Sequence, residues 1–455
     1  MGQILADFGV ILALIAGIAQ FRSPAGARRG NATAAAALAA AALVVLANRP
    51  VSHAGLVAAA VLAGSIAGLA VAARVDMIQI PALVAFQHGA GGVAALLVSA
   101  IELTRDAEGA ALAVRVSGVL GAAIGAATFS GSMIAGAKLA NRMKQTPIVL
   151  PRHNAMLGLL AGATAATAAL AAAPFIGQAG PLVLLAAWAI ALGIVFAIRI
   201  GGADMPVLIS FLNATAGLAA AFTGVVVGSR LLTAFGAAVA ASGTVLTQAM
   251  CKAMNRPLAQ VFVGINGKGQ AAAAVAEPPP PARANPFQAA VEAARDARRV
   301  VIIPGYGMAQ GHAQFETAQL ASVLAAAGKQ VRFAVHPVAG RMPGHMHVLL
   351  AEAEVDPDLL LDLDDANREL DGADVAFVIG ACDVVNPAAI SAAGTPISGM
   401  PILRADTAKC VVVCNLDTRP GYSGVENPLY RDPRTILLLG EAKTTLEKLL
   451  EEIRK

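Results

Sequence analysis

Val300-Val301-Ile302-Ile303-Pro304-Gly305-Tyr306-Gly307 joins a run of branched apolar residues to a Gly-x-Gly turn. Four apolar residues in succession, without alternation, describe a strand buried on both faces, as strands of parallel sheets are. Similar short runs follow at 331–335, 359–361, 375–379, 411–413 and 436–439. Between them, helical stretches are expected near 312–327, 345–353, 364–370 and 441–454. Strands alternating with helices predict a doubly wound parallel sheet, and ligands of such sheets bind beyond the carboxyl ends of the strands.

N-terminal to this domain the chain changes character. Of its 455 residues 57% are hydrophobic and 14% charged, with the charges crowded into the last third. Apolar runs fit to cross about 30 Å of hydrocarbon occur at 3–20, 32–47, 54–73, 80–101, 116–135, 155–173, 181–199, 205–227 and 231–251, the second being short. A polytopic α-helical bundle of about nine spans is therefore expected over residues 1–256. Glycine and alanine dominate these runs, as in Gly64-Ser65-Ile66-Ala67-Gly68 and Gly121-Ala122-Ala123-Ile124-Gly125, which favours close helix approach. The first run lacks a basic leader and a small-residue cleavage site, so it reads as a retained span. Arg22, Arg28, Arg29, Arg74, Lys138, Arg142, Lys144, Arg152, Arg199, Lys252 and Arg256 lie on one side of the bundle; Arg49, Arg105, Arg115 and Arg230 lie on the other. The positive-inside bias then places the N-terminus outside and everything after residue 251 in the cytoplasm.

Residues 257–284 read as a semi-stiff tether, with Gly267-Lys268-Gly269 and the prolines Pro278 to Pro281. Gly267-Lys268-Gly269 lacks the leading glycine and following hydroxyl of a phosphate loop. Within the bundle, His88 falls about eight residues into the fourth span, roughly 12 Å from the cytoplasmic edge. An ionisable group at that depth needs a partner or a wet cavity, and imidazole suits a proton relay; a neutral structural imidazole is the alternative. Asp204 marks the mouth of the eighth span and Asn213 lies nearly at the depth of His88. Nine residues place Asp204 and Asn213 on opposite faces of a straight helix, unless the Gly201-Gly202 pair and Pro206 distort it or the two serve different neighbours. Thr128, Ser130 and Ser132 in the fifth span are weaker candidates, since such hydroxyls commonly bond their own backbone.

In the C-terminal domain, which is Rossmann-like in pattern, Gly305-Tyr306-Gly307 ends one strand and opens a helix, so its amides are placed to meet a pyrophosphate. Gln310 and Gly311 occupy the region where the usual fingerprint ends, and the second strand ends Val335-His336-Pro337 where an acidic ribose ligand is customary. Other strand ends carry Arg341, Gly380, Asp383, Asn386, Asn415 and Tyr422 as candidate contacts. His345 and His347, about 200° apart on a helix, chelate poorly, so no metal is expected. Cys251, Cys382, Cys410 and Cys414 show no CxxC spacing and read as structural thiols. The net charge of +4, without basic patches interleaved with aromatics, gives nucleic-acid binding no support.

Pro304-Gly305-Tyr306-Gly307-Met308-Ala309, His336-Pro337-Val338-Ala339-Gly340-Arg341 with Pro343-Gly344-His345-Met346, and Val385-Asn386-Pro387-Ala388-Ala389 resemble one known cytoplasmic domain. Gly201-Gly202-Ala203-Asp204-Met205-Pro206 and Met250-Cys251-Lys252-Ala253-Met254-Asn255-Arg256 resemble the membrane domain of the same family. The chain is similar over nearly its whole length to the beta subunit of proton-translocating nicotinamide nucleotide transhydrogenase. That resemblance implies that the domain at 285–455 binds NADP(H) in a flipped orientation. It further implies that this chain exchanges hydride with NAD(H) on a separate alpha subunit, and that beta subunits form a homodimer in a bacterial inner membrane. It implies proton-path roles for His88, Ser132, Asp204 and Asn213. It also implies nucleotide contacts from Gly305, Tyr306, Gly307, Met308, Ala309, Arg341, Pro343, Gly344, Gly380, Asp383, Asn386, Asn415, Asp417, Arg419, Gly421 and Tyr422, the loop around Tyr422 acting as a lid.

One stretch departs from the family pattern. Where Lys-Arg-Ser is usual after the fifth strand, this chain has Asn415-Leu416-Asp417, which removes two cations and adds a carboxylate. Such a loop weakens a grip on the 2′-phosphate and suits a 2′-hydroxyl, unless Arg419 and Lys409 compensate. NADP(H) stays the family expectation, with NAD(H) as the variant. A nucleotide-gated channel is the competing class, but no filter resembling TVGYG is present.

Overall fold

A computed structural model describes residues 2–20, 24–48, 53–105, 111–144, 147–173, 179–263, 285–393, 395 and 397–455. Nine helices among them are long and apolar enough to span a membrane. They are α1 (Gly2–Gln20), α2 (Pro24–Asn48), α3 (Ala54–Ala72), α4 (Ile80–Arg105), α5 (Leu112–Leu139), α6 (His153–Ala172), α7 (Ala179–Ile198), α8 (Met205–Val227) and α9 (Arg230–Ala253). The second span is longer than its apolar run, because the helix continues through Arg28, Arg29 and Asn31 after hydropathy has fallen away. Two compact units divide the chain, one of residues 1–144, 148–199 and 208–246, the other of 145–147, 200–207 and 247–455.

In the first unit α5 packs on α4 and α7. Its contact with α4 is backbone on backbone at Gly92 and Gly125. A Cβ on Gly92 would stand 2.6 Å from the Gly125 carbonyl oxygen, and one on Gly125 would stand 2.5 Å from that of Gly92. Small residues at this crossing let the helix axes approach closer than any side chain permits. The glycines Gly64 and Gly68 behave otherwise: α3 buries no residue within the described chain, and both positions face open space. Asp7 on α1 pairs with Arg230 at the start of α9 at 3.4 Å, which sets those two N-termini at one end of the bundle.

After the short helix α10 (Leu258–Val263), residues 264–284, including Gly267-Lys268-Gly269 and Pro278 to Pro281, lie outside the described residues. The chain resumes at Asn285, whose side chain accepts from the Gln288 amide and caps α11 (Pro286–Asp296). Asparagine at the N-cap with proline after it satisfies the first orphan amides of a helix. Six parallel strands follow: β1 (Arg299–Pro304), β2 (Gln330–Ala334), β3 (Leu360–Leu361), β4 (Val375–Ile379), β5 (Cys410–Asn415) and β6 (Thr435–Leu439). They are interleaved with α12 (Tyr306–Gln310), α13 (Gln314–Ala326), α14 (His345–Glu352), α15 (Leu363–Leu370), α16 (Ala388–Ser391) and α17 (Ala442–Arg454). The sheet order is β3-β2-β1-β4-β5-β6, the doubly wound order in which the chain reverses direction between β1 and β4. Val300 pairs with both Val331 and Val375, so β1 is central and wholly enclosed beyond its first residue. Val301, Ile303, Val378, Val413 and Leu403 pack on one face, while Ile302, Phe333, Phe377 and Leu320 are buried elsewhere in the same core. Burying side chains of this size contributes about 1.5–3 kcal/mol each, which is why the apolar runs in the sequence coincide with the strands.

Candidate functional site

At the carboxyl ends of β1, β4 and β5 lies a cleft of about 420 Å³, within the range of cofactor sites. Its walls are the β1 turn (Gly305, Tyr306, Gly307), the β4 turn (Gly380 to Val384) and the β5 loop (Asn415 to Asp417, Pro420 to Tyr422). A larger cavity of about 630 Å³ opens between α13 and the β1–β2 side of the sheet, lined by Arg299, Lys329 and Glu369. It has no glycine turn, and the switch point of an open α/β sheet lies at the other end of the strands.

Glycine in the β1 and β4 turns serves a local purpose. Gly305 donates to Ile379 O and Gly307 to Gly380 O, each at 2.8 Å. These two amides are thus committed to the neighbouring turn. A Cβ on Gly305 would fall 2.3 Å from Gly380 O, and one on Gly380, at φ +67°, would fall 2.1 Å from the Met308 nitrogen. The two turns touch backbone to backbone, and only glycine allows that approach.

Tyr306 and Tyr422 face one another across the cleft with ring centroids 6.0 Å apart and their phenols hydrogen-bonded. Burial pushes the Tyr306 phenol well above its ordinary value. The Arg341 guanidinium stacks on Tyr306, 4.4 Å from the ring centroid, and is itself 6% exposed. Its backbone amide donates to His345 Nδ1 at 3.1 Å. Asp383 receives the Ser423 hydroxyl at 2.6 Å and the Ser423 amide at 3.0 Å, and so ties the β4 turn to the Tyr422 loop. Burial raises its carboxyl above the ordinary range, and the Ser423 bonds draw it partly back. Cys382 is pushed up to about 11 by burial and stays a thiol at neutral pH.

Of the residues expected here, Gly305, Tyr306, Gly307, Gly380, Asp383, Asn415, Asp417, Gly421 and Tyr422 line the cleft. Met308 and Ala309 are buried in α12 beneath it. Pro343 and Gly344 shape the turn before α14, Gly344 at φ +75°. Asn386 is buried and does not line the cleft: its amide nitrogen donates to Glu426 O at 3.1 Å and its oxygen accepts from the Ala388 amide at 3.0 Å. Lys409 stands at the opposite end of β5, bonded to Asp374 at 2.8 Å, and is roughly 20 Å from Leu416 along the strand. It cannot compensate for missing cations. Gln310, Met400 and Pro420 also line the cleft. Met400 comes from an irregular segment with no periodic signal, so no pattern in the sequence points to it.

In the membrane unit, the Asn213 side chain hydrogen-bonds to His88, bringing α8 and α4 together. The His88 Nδ1 atom is buried without a hydrogen-bond partner, as is the hydroxyl of Ser132 on α5. Ser132 adjoins the His88 turn, since a Cβ on Gly89 would lie 3.2 Å from Ser132 Cβ. Thr128 bonds Thr215 of α8 at 2.9 Å, and Ser130 donates to Ile190 O of α7 at 2.9 Å. Both therefore link helices rather than only closing on their own backbone. Asp204 sits in a 3₁₀ turn (Gly202–Asp204) before α8 and receives Arg256 Nη1 at 2.9 and 3.0 Å. Asp204 and Asn213 serve different neighbours, as their opposed positions on the helix require.

Residues 4–452 match the sequence profile of a family described as NAD(P) transhydrogenase beta subunit. The NAD(P) transhydrogenase subunit beta of Rhodospirillum rubrum is 40% identical over 439 residues, covering 94% of this chain and 94% of that protein, and a second sequence of the same organism matches equally. The chain belongs to the NAD(P) transhydrogenase beta subunit family.

Proposed function

We propose that this chain couples hydride exchange between two nicotinamide dinucleotides to proton movement across a membrane. One nucleotide is held here, NADP(H) in the family pattern, and the other, NAD(H), on a partner alpha subunit. The observation that carries the reading is the cleft closed by Tyr306 and Tyr422 at the switch point of a parallel sheet, in one chain with a helical unit that buries a His88–Asn213 pair. The apolar, glycine-rich walls fit an extended nucleotide, and the bound nicotinamide supplies the hydride chemistry. No side chain acts as a nucleophile; the residues align and exclude water, which is where such catalysis gains most. Tyr306 and Tyr422 cover the cleft, and Asp383 fixes the Tyr422 loop through Ser423.

Protons are held and passed at His88 Nδ1, with Ser132 on α5 against the adjacent Gly89 and Asn213 orienting the ring. Asp204, held by Arg256, stands at the cytoplasmic mouth. Within the second unit Gly202, at φ +60°, lies against Tyr422, a Cβ there being 3.3 Å from that of Tyr422. This contact favours a link between the lid and the Asp204 turn. Coupling also requires that nucleotide bind two states of the lid with different affinity. In the full assembly beta subunits pair as a homodimer within a bacterial inner membrane.

Vesicles holding this chain with its alpha subunit test the proposal. Hydride exchange should acidify one compartment, and His88→Ala should lower coupled turnover by about 100-fold or more. Wild-type proton coupling in that variant would remove His88 from the path. Nucleotide-dependent ion flux without hydride exchange would favour a gated channel instead.

A further inference from the structure

The β5 side of the cleft carries the wrong charge for a phosphate dianion. Two carboxylates, Asp383 and Asp417, line the cleft, and no lysine or arginine is among its lining residues. Asp417 receives Arg419 through its side-chain Nε at 2.6 Å and its amide at 2.9 Å, which holds that guanidinium on the outside of the loop with its side chain 81% exposed. Leu416, between Asn415 and Asp417, is exposed and apolar. The amide nitrogen of Asn415 is committed to Ala381 O at 2.9 Å and to the Tyr430 hydroxyl at 2.8 Å. Its Oδ1 is buried with no partner, an acceptor in need of a donor. Arg341 stacks on Tyr306 after β1. Strands β1 and β5 themselves stand two strand spacings, about 10 Å, apart with β4 between them, and Arg341 is not among the residues lining the cleft.

Acceptors suit hydroxyl donors and repel phosphate oxygens. We infer that this chain selects a dinucleotide whose adenosine ribose carries a free 2′-hydroxyl, the NAD(H) class, with Asn415 Oδ1 and the Asp417 carboxylate as the selecting groups. The inference rests on the reading that the cleft binds a nicotinamide dinucleotide with its adenosine end at β5.

The full chain, purified in detergent without its alpha subunit, is titrated with NADH and with NADPH, following nicotinamide fluorescence. NADH should bind more tightly by about 10-fold or more, the value of one charge-assisted hydrogen bond. The double variant Leu416→Arg/Asp417→Ser should reverse that order, and Asp417→Asn, which changes charge without bulk on an exposed loop, should narrow it. Equal or tighter binding of NADPH by the native chain overturns the inference and leaves the proposed function standing. An unchanged NADH preference in both variants, with the circular dichroism of the native chain, removes the selecting role of Asp417. Binding of neither nucleotide removes the inference together with the reading beneath it.

Discussion

His336 follows β2 by two residues, where an acidic ribose ligand is customary, yet it is not among the residues lining the cleft. Its Nε2–H donates to Pro401 O at 2.8 Å, and its Nδ1 accepts from the Val338 amide at 3.2 Å, so the contacts require the neutral ring. Burial lowers it from 6.5 to about 4. The folded protein therefore resists a proton that the unfolded chain takes up near pH 6.5. The stabilisation is complete above pH 6.5 and is lost as pH falls toward 4, up to about 3 kcal/mol for this one group. The melting temperature of the intact chain, followed by near-UV circular dichroism, should fall through that window, and His336→Gln should flatten part of the fall. A profile that is level between pH 6.5 and 4 would contradict the buried neutral ring. His345, lowered to about 4 by burial and the adjacent Arg341, adds in the same direction.

At the scale of elements, the α4–α5 crossing has no slack. Gly92 and Gly125 present each other with carbonyl oxygens, so Gly125→Leu must force the helices apart by ångströms and cannot relax by a rotamer change. Overpacking of this kind costs about 1–3 kcal/mol or more. The variant should show faster proteolysis in detergent and lower coupled activity, since His88 lies one turn from Gly92 on α4. Gly64→Leu on α3, facing open space, should leave proteolysis unchanged in detergent. Both glycines look alike in sequence, and composition could not distinguish them. The strands were more legible: their limits follow the apolar runs to within a residue or two, because a strand buried on both faces admits little else. The helix α11 carried its own signals, Asn285-Pro286 at the cap and Ala290, Val291 and Ala294 on one face. They were overshadowed by the proline-rich stretch before it.

Over the whole molecule, positive-inside counting assigns each loop a side as an expectation, while the Asp7–Arg230 pair places the starts of α1 and α9 at one end and says nothing of which side that is. Cysteine introduced at Ser229 should react with a membrane-impermeant maleimide applied from outside intact cells, whereas cysteine at Asn141 should react only after lysis. The reverse pattern would invert the bundle and put residues 285–455 outside. The sequence by itself determined the class of structure: long apolar runs have no stable state outside a bilayer, and β-branched runs between helices have none outside a parallel sheet. Tertiary structure alone decided which residues meet. Gly305 and Gly380 are 75 positions apart and Asn415 and Tyr430 belong to different elements, yet each pair is in contact. Asp204 turned to Arg256 and Asn213 to His88. Such pairings depend on helix rotation and loop direction, which hydrophobic periodicity leaves free, so the sequence identified the candidate groups and the packing assigned them their partners.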